Sequence, residues 1–234
     1  MNTIAAVILT KNEEKHIARC IGSLKNVCDE VIVVDSFSSD KTCDIAKSFN
    51  VRVYKNAWKN YASQFNFAIH KCPIESEWIW RIDADEYLEG NIGSAVKRAV
   101  KKCDSDVNGI YVRKRIDFMG KPLKHGGKGH GECENRWMDE HIRIFDGKTI
   151  TVDEGNQVDA NLNGLTWWTD KHNHYATREM IDMLMTEFEL DAKGQEVIPM
   201  FFGTEEQRKR WLKMKYVKAP LFVRPFANFF YRYI

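Results

Sequence analysis

No C-x-x-C pair occurs among the six cysteines, and that removes the usual support for a zinc site. No stretch approaches the roughly 18 uncharged apolar residues that a membrane-spanning helix needs. The opening MNTIAAVILTKNEE holds a short apolar run without a basic segment before it or a small-residue cleavage site after it, so it reads as a strand and not as a secretory leader. Net charge is only +2, too small for a molecule that would coat nucleic acid through its overall field. The glycine-rich stretch His125-Gly126-Gly127-Lys128-Gly129-His130-Gly131 lacks the GK[ST] ending of a phosphate-binding P-loop. It reads equally as a mobile lid or a surface hairpin. Internal repeats and low-complexity segments are absent as well.

What is present fits a globular chain. The 234 residues are 44% hydrophobic and 29% charged, enough for one large domain or a domain with a subdomain. Cys20, Cys43 and Cys72 fall in apolar-patterned segments and read as small core residues, which points to a reducing cytosol.

The first ninety residues alternate between buried-strand and helix patterns. Ile4 to Leu9, Val31 to Val34, Val51 to Tyr54 and Trp78 to Ile82 read as strands. Between them, Asn12 is placed to cap a helix with apolar Ile17, Cys20, Ile21 and Leu24, and Ser38 or Ser39 to cap one carrying Ile45, Ala46 and Phe49. Tyr61 to His70 is a further helix. Such alternation implies right-handed crossovers and a mostly parallel sheet flanked by helices. Ligands bind such sheets beyond the carboxyl ends of the strands. There stand Thr10-Lys11-Asn12-Glu13, Asp35-Ser36-Phe37-Ser38 and Asp83-Ala84-Asp85-Glu86, and the pattern predicts that they converge on one crevice.

In WIWRIDADE, residues 78 to 86, a strand runs into two aspartates one residue apart. In an extended segment, Asp83 and Asp85 face the same way. Like charges that close repel unless a cation sits between them. Hard oxygen ligands select Mg²⁺ or Mn²⁺, ions that commonly carry a diphosphate. The bland alternative is a strand followed by an acidic turn.

After Glu86 the texture changes. Ile92 to Val100 reads as a helix and Gly109 to Phe118 as a strand; Trp137 to Phe145 follows, containing Asp139, Glu140 and Arg143, and its bland alternative is an amphipathic edge strand with solvated acids. A helix is expected from Thr169 or Asp170 to about Lys193, ended by Gly194. Another follows the capping box Thr204-Glu205-Glu206-Gln207.

Taken in order, VILTKNEEKHIARCIGSL, VIVVDSFSSDKT and WIWRIDADE resemble the amino-terminal half of family 2 glycosyltransferases with the GT-A fold. The subgroup is similar to lipopolysaccharide-core β-glucosyltransferases and to capsule or O-antigen transferases. RWMDEHIRIF and WWTDKHNHYATRE carry the resemblance further, more loosely. It implies inverting transfer from a nucleotide-diphosphate sugar, usually UDP-linked, to a hydroxyl of a lipid-linked glycan. Carried over, it assigns Thr10, Asn12, Glu13, Asp35, Gln64, Asn66, Arg81 and Asp83 to the nucleotide sugar. Asp35 matches the residue on the uracil edge, where many members have two aspartates and this chain has Asp35-Ser36. Asp85, with Asp83, would hold the metal. The base would be Glu140, with Asp139 as runner-up and Arg143 orienting the carboxylate or contacting phosphate. His172 is a candidate further metal ligand, and Lys171, His174 and Trp167 candidate acceptor or phosphate contacts. Residues of these types also have plainer uses. Thr10, Asn12 and Glu13 suit a helix cap, Asp35 a turn, Gln64 and Asn66 solvated helix positions, and Trp167 with Trp168 domain-edge packing. At two-residue spacing, His172 and His174 cannot both face one ion from a regular helix.

The expected division is a catalytic domain, 1–200, with a nucleotide half, 1–90, and an acceptor half, 91–200. A basic-aromatic helical segment, 201–234, follows and reads as cut short. From Arg208 onward eight basic residues and no acids interleave with aromatics. That suits an anionic membrane surface in preference to nucleic acid, hence a peripheral location on the inner face of the cytoplasmic membrane. Two other classes remain. One is a sugar-nucleotide nucleotidyltransferase, against which stands the absence of a glycine-rich, arginine-bearing loop after the first strand. The other is a non-catalytic GT-A partner subunit, against which stand Asp83, Asp85 and Glu140.

Overall fold

Ile4–Thr10, apolar up to its last residue and wholly buried, forms β1 in the interior of a parallel sheet. The computed structural model describes residues 2–122, 147–188, 200–203, 205–220 and 222–226. From β1 the chain continues through α1 (Ile17–Leu24), β2 (Glu30–Asp35), α2 (Thr42–Ser48), β3 (Arg52–Lys55), α3 (Tyr61–Lys71) and β4 (Trp78–Asp83). Every pairing in this sheet is parallel and the order is β3-β2-β1-β4. Side chains alternate across β1. Ala6 and Ile8 meet Ile17, Cys20, Ile21 and Leu24 of α1 on one face. Val7 and Leu9 meet Phe65 and Ala68 of α3 on the other. Each fully buried Ile or Leu contributes about 1.5–3 kcal/mol, so this double packing holds the strand ends level.

Two helix starts differ from expectation. Asn12 does not cap α1, which begins at Ile17 without a side-chain cap. Asn12 takes a left-handed φ of 57° and its Oδ1 accepts from Ser39 N. Ser38 and Ser39 do not cap α2 either, because Ser38 is held by Asp35 and Ser39 by Asn12. Short polar side chains have several backbone partners to choose from, and here partners in the neighbouring loop win over those on their own helix.

The chain then builds a second sheet. It contains β5 (Glu86–Glu89), β6 (Val107–Phe118), β7 (Lys121–Pro122) and β8 (Lys148–Ala160), with α4 (Ile92–Lys102) between β5 and β6, in the order β5-β8-β6-β7. Sequence pattern led to α4 and β6 but not to β5, β7 or β8. In β8 the register with β6 slips between Val112 and Lys114, near Gly155 at φ 90°, and such a bulge erases the two-residue alternation. Ile92, Ala95, Val96 and Val100 of α4 pack with Ile4, Trp80 and Val152, tying the second sheet to the first.

The last described elements are α5 (Leu165–Glu187) and α6 (Glu205–Lys218). α5 starts before Thr169 and ends before Lys193. The chain splits into two compact units, Met1–Trp167 and Trp168–Ile234. Cys20 and Cys72 are buried and Cys43 half-buried, all unpaired. Among the described residues no helix is long and apolar enough to cross a membrane. Asp139, Glu140, Arg143, the glycine-rich loop, the 137–145 segment and Gly194 lie outside the described residues.

Candidate active site

The strand register sets the site. Thr10 pairs with Asp35 across β1 and β2, and Leu9 with Asp83 across β1 and β4. The chain steps from β1 to β2 to β3 on one side, then crosses to β4 on the other side of β1. That reversal is a topological switch point, where loops leave in opposite directions and open a crevice.

The loops after β1 and β2 are interlocked. Thr10 Oγ1 donates to Asp35 Oδ1 at 3.0 Å, and Ser38 N donates to Asp35 Oδ2 at 2.8 Å. Burial raises the Asp35 carboxyl. Bonds from the Ser38 hydroxyl and N–H, Cys43 and Thr10 outweigh it and leave the group below the usual carboxylate range. Lys11 Nζ donates to the carbonyls of Ser36 and Phe37 at 2.8 and 2.7 Å. Glu13 N donates to Thr42 Oγ1 at 2.7 Å. Buried His16 accepts from Leu162 N through Nε2 at 2.8 Å, so Nδ1 carries the proton and donates to Glu13 Oε2 at 2.6 Å.

The paired aspartates are arranged differently from the extended geometry expected of them. Asp83 ends β4, while Ala84 and Asp85 form a turn into β5. Loops of the second sheet hold that turn. Asn161 Nδ2 donates to Asp85 Oδ2 at 3.0 Å. Arg19 Nη2 donates to the carbonyls of Asp85 and Ala160 at 3.0 and 2.5 Å. Behind the turn Glu86 is almost fully buried. It accepts from Asp83 N at 2.8 Å and Gln157 Nε2 at 2.6 Å, and it pairs with Lys114 Nζ at 2.5 Å. Burial, then the Asp83 charge, pushes Glu86 up to about 7 against the pull of Lys114. Asp159 is also raised, by burial and then by the Asp85 charge. His16, Arg19, Lys114, Gln157, Asp159 and Asn161 were not visible as site residues in the sequence. The only signal for the last three was the polar alternation of β8 beyond its bulge.

The remaining candidates separate. Gln64 is fully buried, and its amide is taken up by Ser36 Oγ at 2.6 Å and by Asn56. It braces the ends of β2 and β3 and is not a solvated position. Asn66, two residues on, is exposed, so the helix sends the two to opposite faces. Arg81 lies 5.9 Å from the ring centroids of both Tyr61 and Phe65. Within α5, His172 Nδ1 donates to the Trp168 carbonyl at 2.8 Å, which makes Nε2, the other ring nitrogen, the acceptor position. His174 stands 3.8 Å from Asp170. Lys171 lies 5.7 Å from the Tyr175 ring centroid, and Trp167 is 38% exposed. The helix covers both histidines, so one ion cannot take both.

Asp83 and Asp85 fit a divalent cation. Both are partly exposed hard-oxygen donors, and their charge reaches Asp159 and the buried Cys20 thiol. Among the described residues no group of three His, Cys, Asp or Glu side chains surrounds a metal position. Two carboxylates completed by phosphate and water is the usual manner of holding Mg²⁺.

Residues 5–159 match the family model Glycosyl transferase family 2. The uncharacterized glycosyltransferase RT0209 of Rickettsia typhi is 43% identical over 97 residues, covering 42% of this chain and 32% of that protein. The lipopolysaccharide core biosynthesis glycosyltransferase LpsC of Rhizobium meliloti is 36% identical over 122 residues, 50% of this chain and 44% of that protein. The matches thus span less than half the length of these relatives. Among solved structures, S. aureus TarS 1–349 in complex with UDP-GlcNAc aligns at TM-score 0.43 and 18% identity, over 59% of this chain and 41% of that one.

Proposed function

Because the chain belongs to glycosyl transferase family 2, we propose that it moves a hexose from a UDP-linked donor to a hydroxyl of a lipid-linked or lipopolysaccharide-type glycan, with inversion. Its mostly parallel sheet with helices on both faces is the GT-A arrangement. The observation that carries the reading is the register that brings Thr10, Asp35 and Asp83 to neighbouring strand ends at the switch point. The acceptor class leans on LpsC, 36% identical over half of this chain.

In this reading Asp83 and Asp85 hold the metal and so the donor's diphosphate. A divalent cation bound there supplies charge neutralisation for the leaving group. Asn161 fixes the Asp85 carboxylate and Arg19 its carbonyl, so the turn keeps its shape as the donor enters. Inversion needs a base within hydrogen-bond distance of the acceptor hydroxyl. The resemblance of MDEHIR gives that work to Glu140, with Asp139 beside it and Arg143 as orienting residue. The resemblance of WWTDKHNHYATRE gives His172 to a metal or phosphate, and Lys171 and His174 to phosphate or acceptor. The place of action is the inner face of the cytoplasmic membrane, where a lipid-linked acceptor is presented.

The experiment is nucleotide release from a panel of UDP-sugars with Mn²⁺ and a lipid-linked glycan acceptor. Asp85→Ala should abolish release. Glu140→Gln should keep donor binding and lower transfer by at least about 100-fold. Formation of UTP and sugar 1-phosphate when pyrophosphate is supplied with the UDP-sugar would mark a nucleotidyltransferase. A wild-type protein that releases nothing with any donor or acceptor would overturn the reading.

A further inference from the structure

We propose that His16 is a positioning residue of the donor site: its neutral imidazole fixes the Glu13 carboxylate so that one oxygen is spent inside the protein and the other is left for the donor. This rests on the nucleotide-sugar reading above and adds to it a residue that touches no substrate.

His16 stands immediately before α1 and is 1% exposed. A histidine so buried could serve packing alone, but both of its ring nitrogens are bonded. Leu162 N donates to Nε2 at 2.8 Å, which only an unprotonated nitrogen can accept. The proton is thereby fixed on Nδ1, which donates to Glu13 Oε2 at 2.6 Å. Hydrogen bonds to an ionised partner are short and strong in this way. The main chain of Glu13 is held as well. Its N–H donates to Thr42 Oγ1, and its carbonyl accepts from His16 N and Ile17 N at 3.0 and 2.9 Å. Only the side-chain torsions of Glu13 remain to be set, and the imidazole sets them. An unheld glutamate would lose that rotamer freedom when the donor binds, so His16 orders it in advance.

The carboxylate is half enclosed. Oε2 is taken by His16, whereas among the described residues Oε1 receives no bond and is not a buried atom, and the side chain is 21% exposed. Contacts also tie Glu13 to the metal side of the crevice. Leu162, which bonds His16, follows Asn161, which bonds the Asp85 carboxylate. Lys15 Nζ donates to Asn163 Oδ1 at 2.9 Å and closes the same turn onto the start of α1. The carboxylates of Glu13 and Asp85 are thus the two ends of one connected chain through His16 and residues 161–162. Near a diphosphate, a carboxylate accepts from a hydroxyl and repels phosphate. Its aim therefore decides whether it helps or hinders the donor.

The test is UDP binding by calorimetry in the presence of Mn²⁺, alongside thermal unfolding. The proteins are wild type, Glu13→Ala, His16→Gln, His16→Asn and the double variant of Glu13→Ala with His16→Gln. Glutamine puts a carbonyl where Nε2 accepts from Leu162 and loses the donor to Glu13. Asparagine puts an amide N–H where Nδ1 donates to Glu13, with no tautomer to fix. Glu13→Ala and His16→Gln should each weaken UDP about tenfold. The double variant should bind no more weakly than Glu13→Ala alone, because His16 acts through Glu13. His16→Asn should stay within about threefold of wild type, even where it unfolds earlier. Losses that add in the double variant, or His16→Asn as weak as Glu13→Ala, would make His16 a structural residue only. Glu13→Ala or His16→Gln binding UDP like wild type would also overturn the proposal, with the nucleotide-sugar reading intact. A wild-type protein that binds no UDP would remove both.

Discussion

Glu86 shows how one side chain at the site carries several obligations. It caps the Asp83 N–H, receives Gln157 and faces Lys114, all while nearly excluded from water. With burial and Asp83 pushing it from 4.5 up to about 7, the folded protein keeps this proton at a pH where the unfolded chain has lost it. Its contribution to stability is therefore complete below pH about 4.5 and is lost as pH rises through about 7. The displacement is equivalent to at most about 3 kcal/mol. Asp159, raised too, adds in the same sense, and Lys114 opposes both by favouring their ionised forms. Urea unfolding of metal-free protein from about pH 5 to about pH 8 should show wild type losing stability relative to Glu86→Gln as pH rises. Parallel pH profiles for the two proteins would refute this account.

At the level of elements, β8 decides how the second sheet serves the site. Gly155 sits at φ 90°, and a Cβ there would lie 2.6 Å from Glu89 O, 2.7 Å from Ile92 N and 2.9 Å from Asn91 N. All three are backbone atoms, so none can step aside cheaply. The bulge resets the register so that Gln157 pairs with Leu88 and Asp159 with Glu86. Gln157 thereby reaches the Glu86 carboxylate, and Asn161 follows to reach Asp85. Gly155→Ala should cost about 1–3 kcal/mol in unfolding free energy. It should also lower turnover through the displaced Asn161. A variant as stable and as active as wild type would show that the bulge has no such constraint. Sequence pattern located the helices and strands of the first sheet closely, because buried runs and 3.6-residue periodicity survive there. It missed β8 because a bulge breaks the alternation on which strand recognition depends.

At the scale of the whole molecule, basic and aromatic residues gather toward the carboxyl end. The second unit exposes Phe202, Phe222 and Phe226 together with Lys215 and Lys218. In α6 the cations and rings are distributed around the helix instead of forming one apolar stripe. Membrane attraction by such a segment would act through charge and interfacial aromatics, not through an amphipathic face. The full chain should sediment with vesicles containing about 30% phosphatidylserine and not with phosphatidylcholine alone, and binding should decline between about 0.05 and 0.5 M salt. Equal binding to both vesicle types, or to neither, would remove the membrane from the proposal.

Reading residues in order was enough to place the parallel strands and to put three polar clusters at their carboxyl ends. Those features are local, since they depend on runs, periods and neighbours a few residues apart. Folding was needed to assign work to the side chains in those clusters. Thr10, Asp35 and Gln64 read as ligand contacts, and bonds across 25 or 28 residues make them part of the frame as well. Arg19, Lys114 and Asn161 looked unremarkable until segments 66 to 76 residues away met at Asp85, and Lys114 closed on Glu86. Which polar group is spent inside the protein, and which is left over for a ligand, depends on contacts distant in the chain, and no local pattern encodes those.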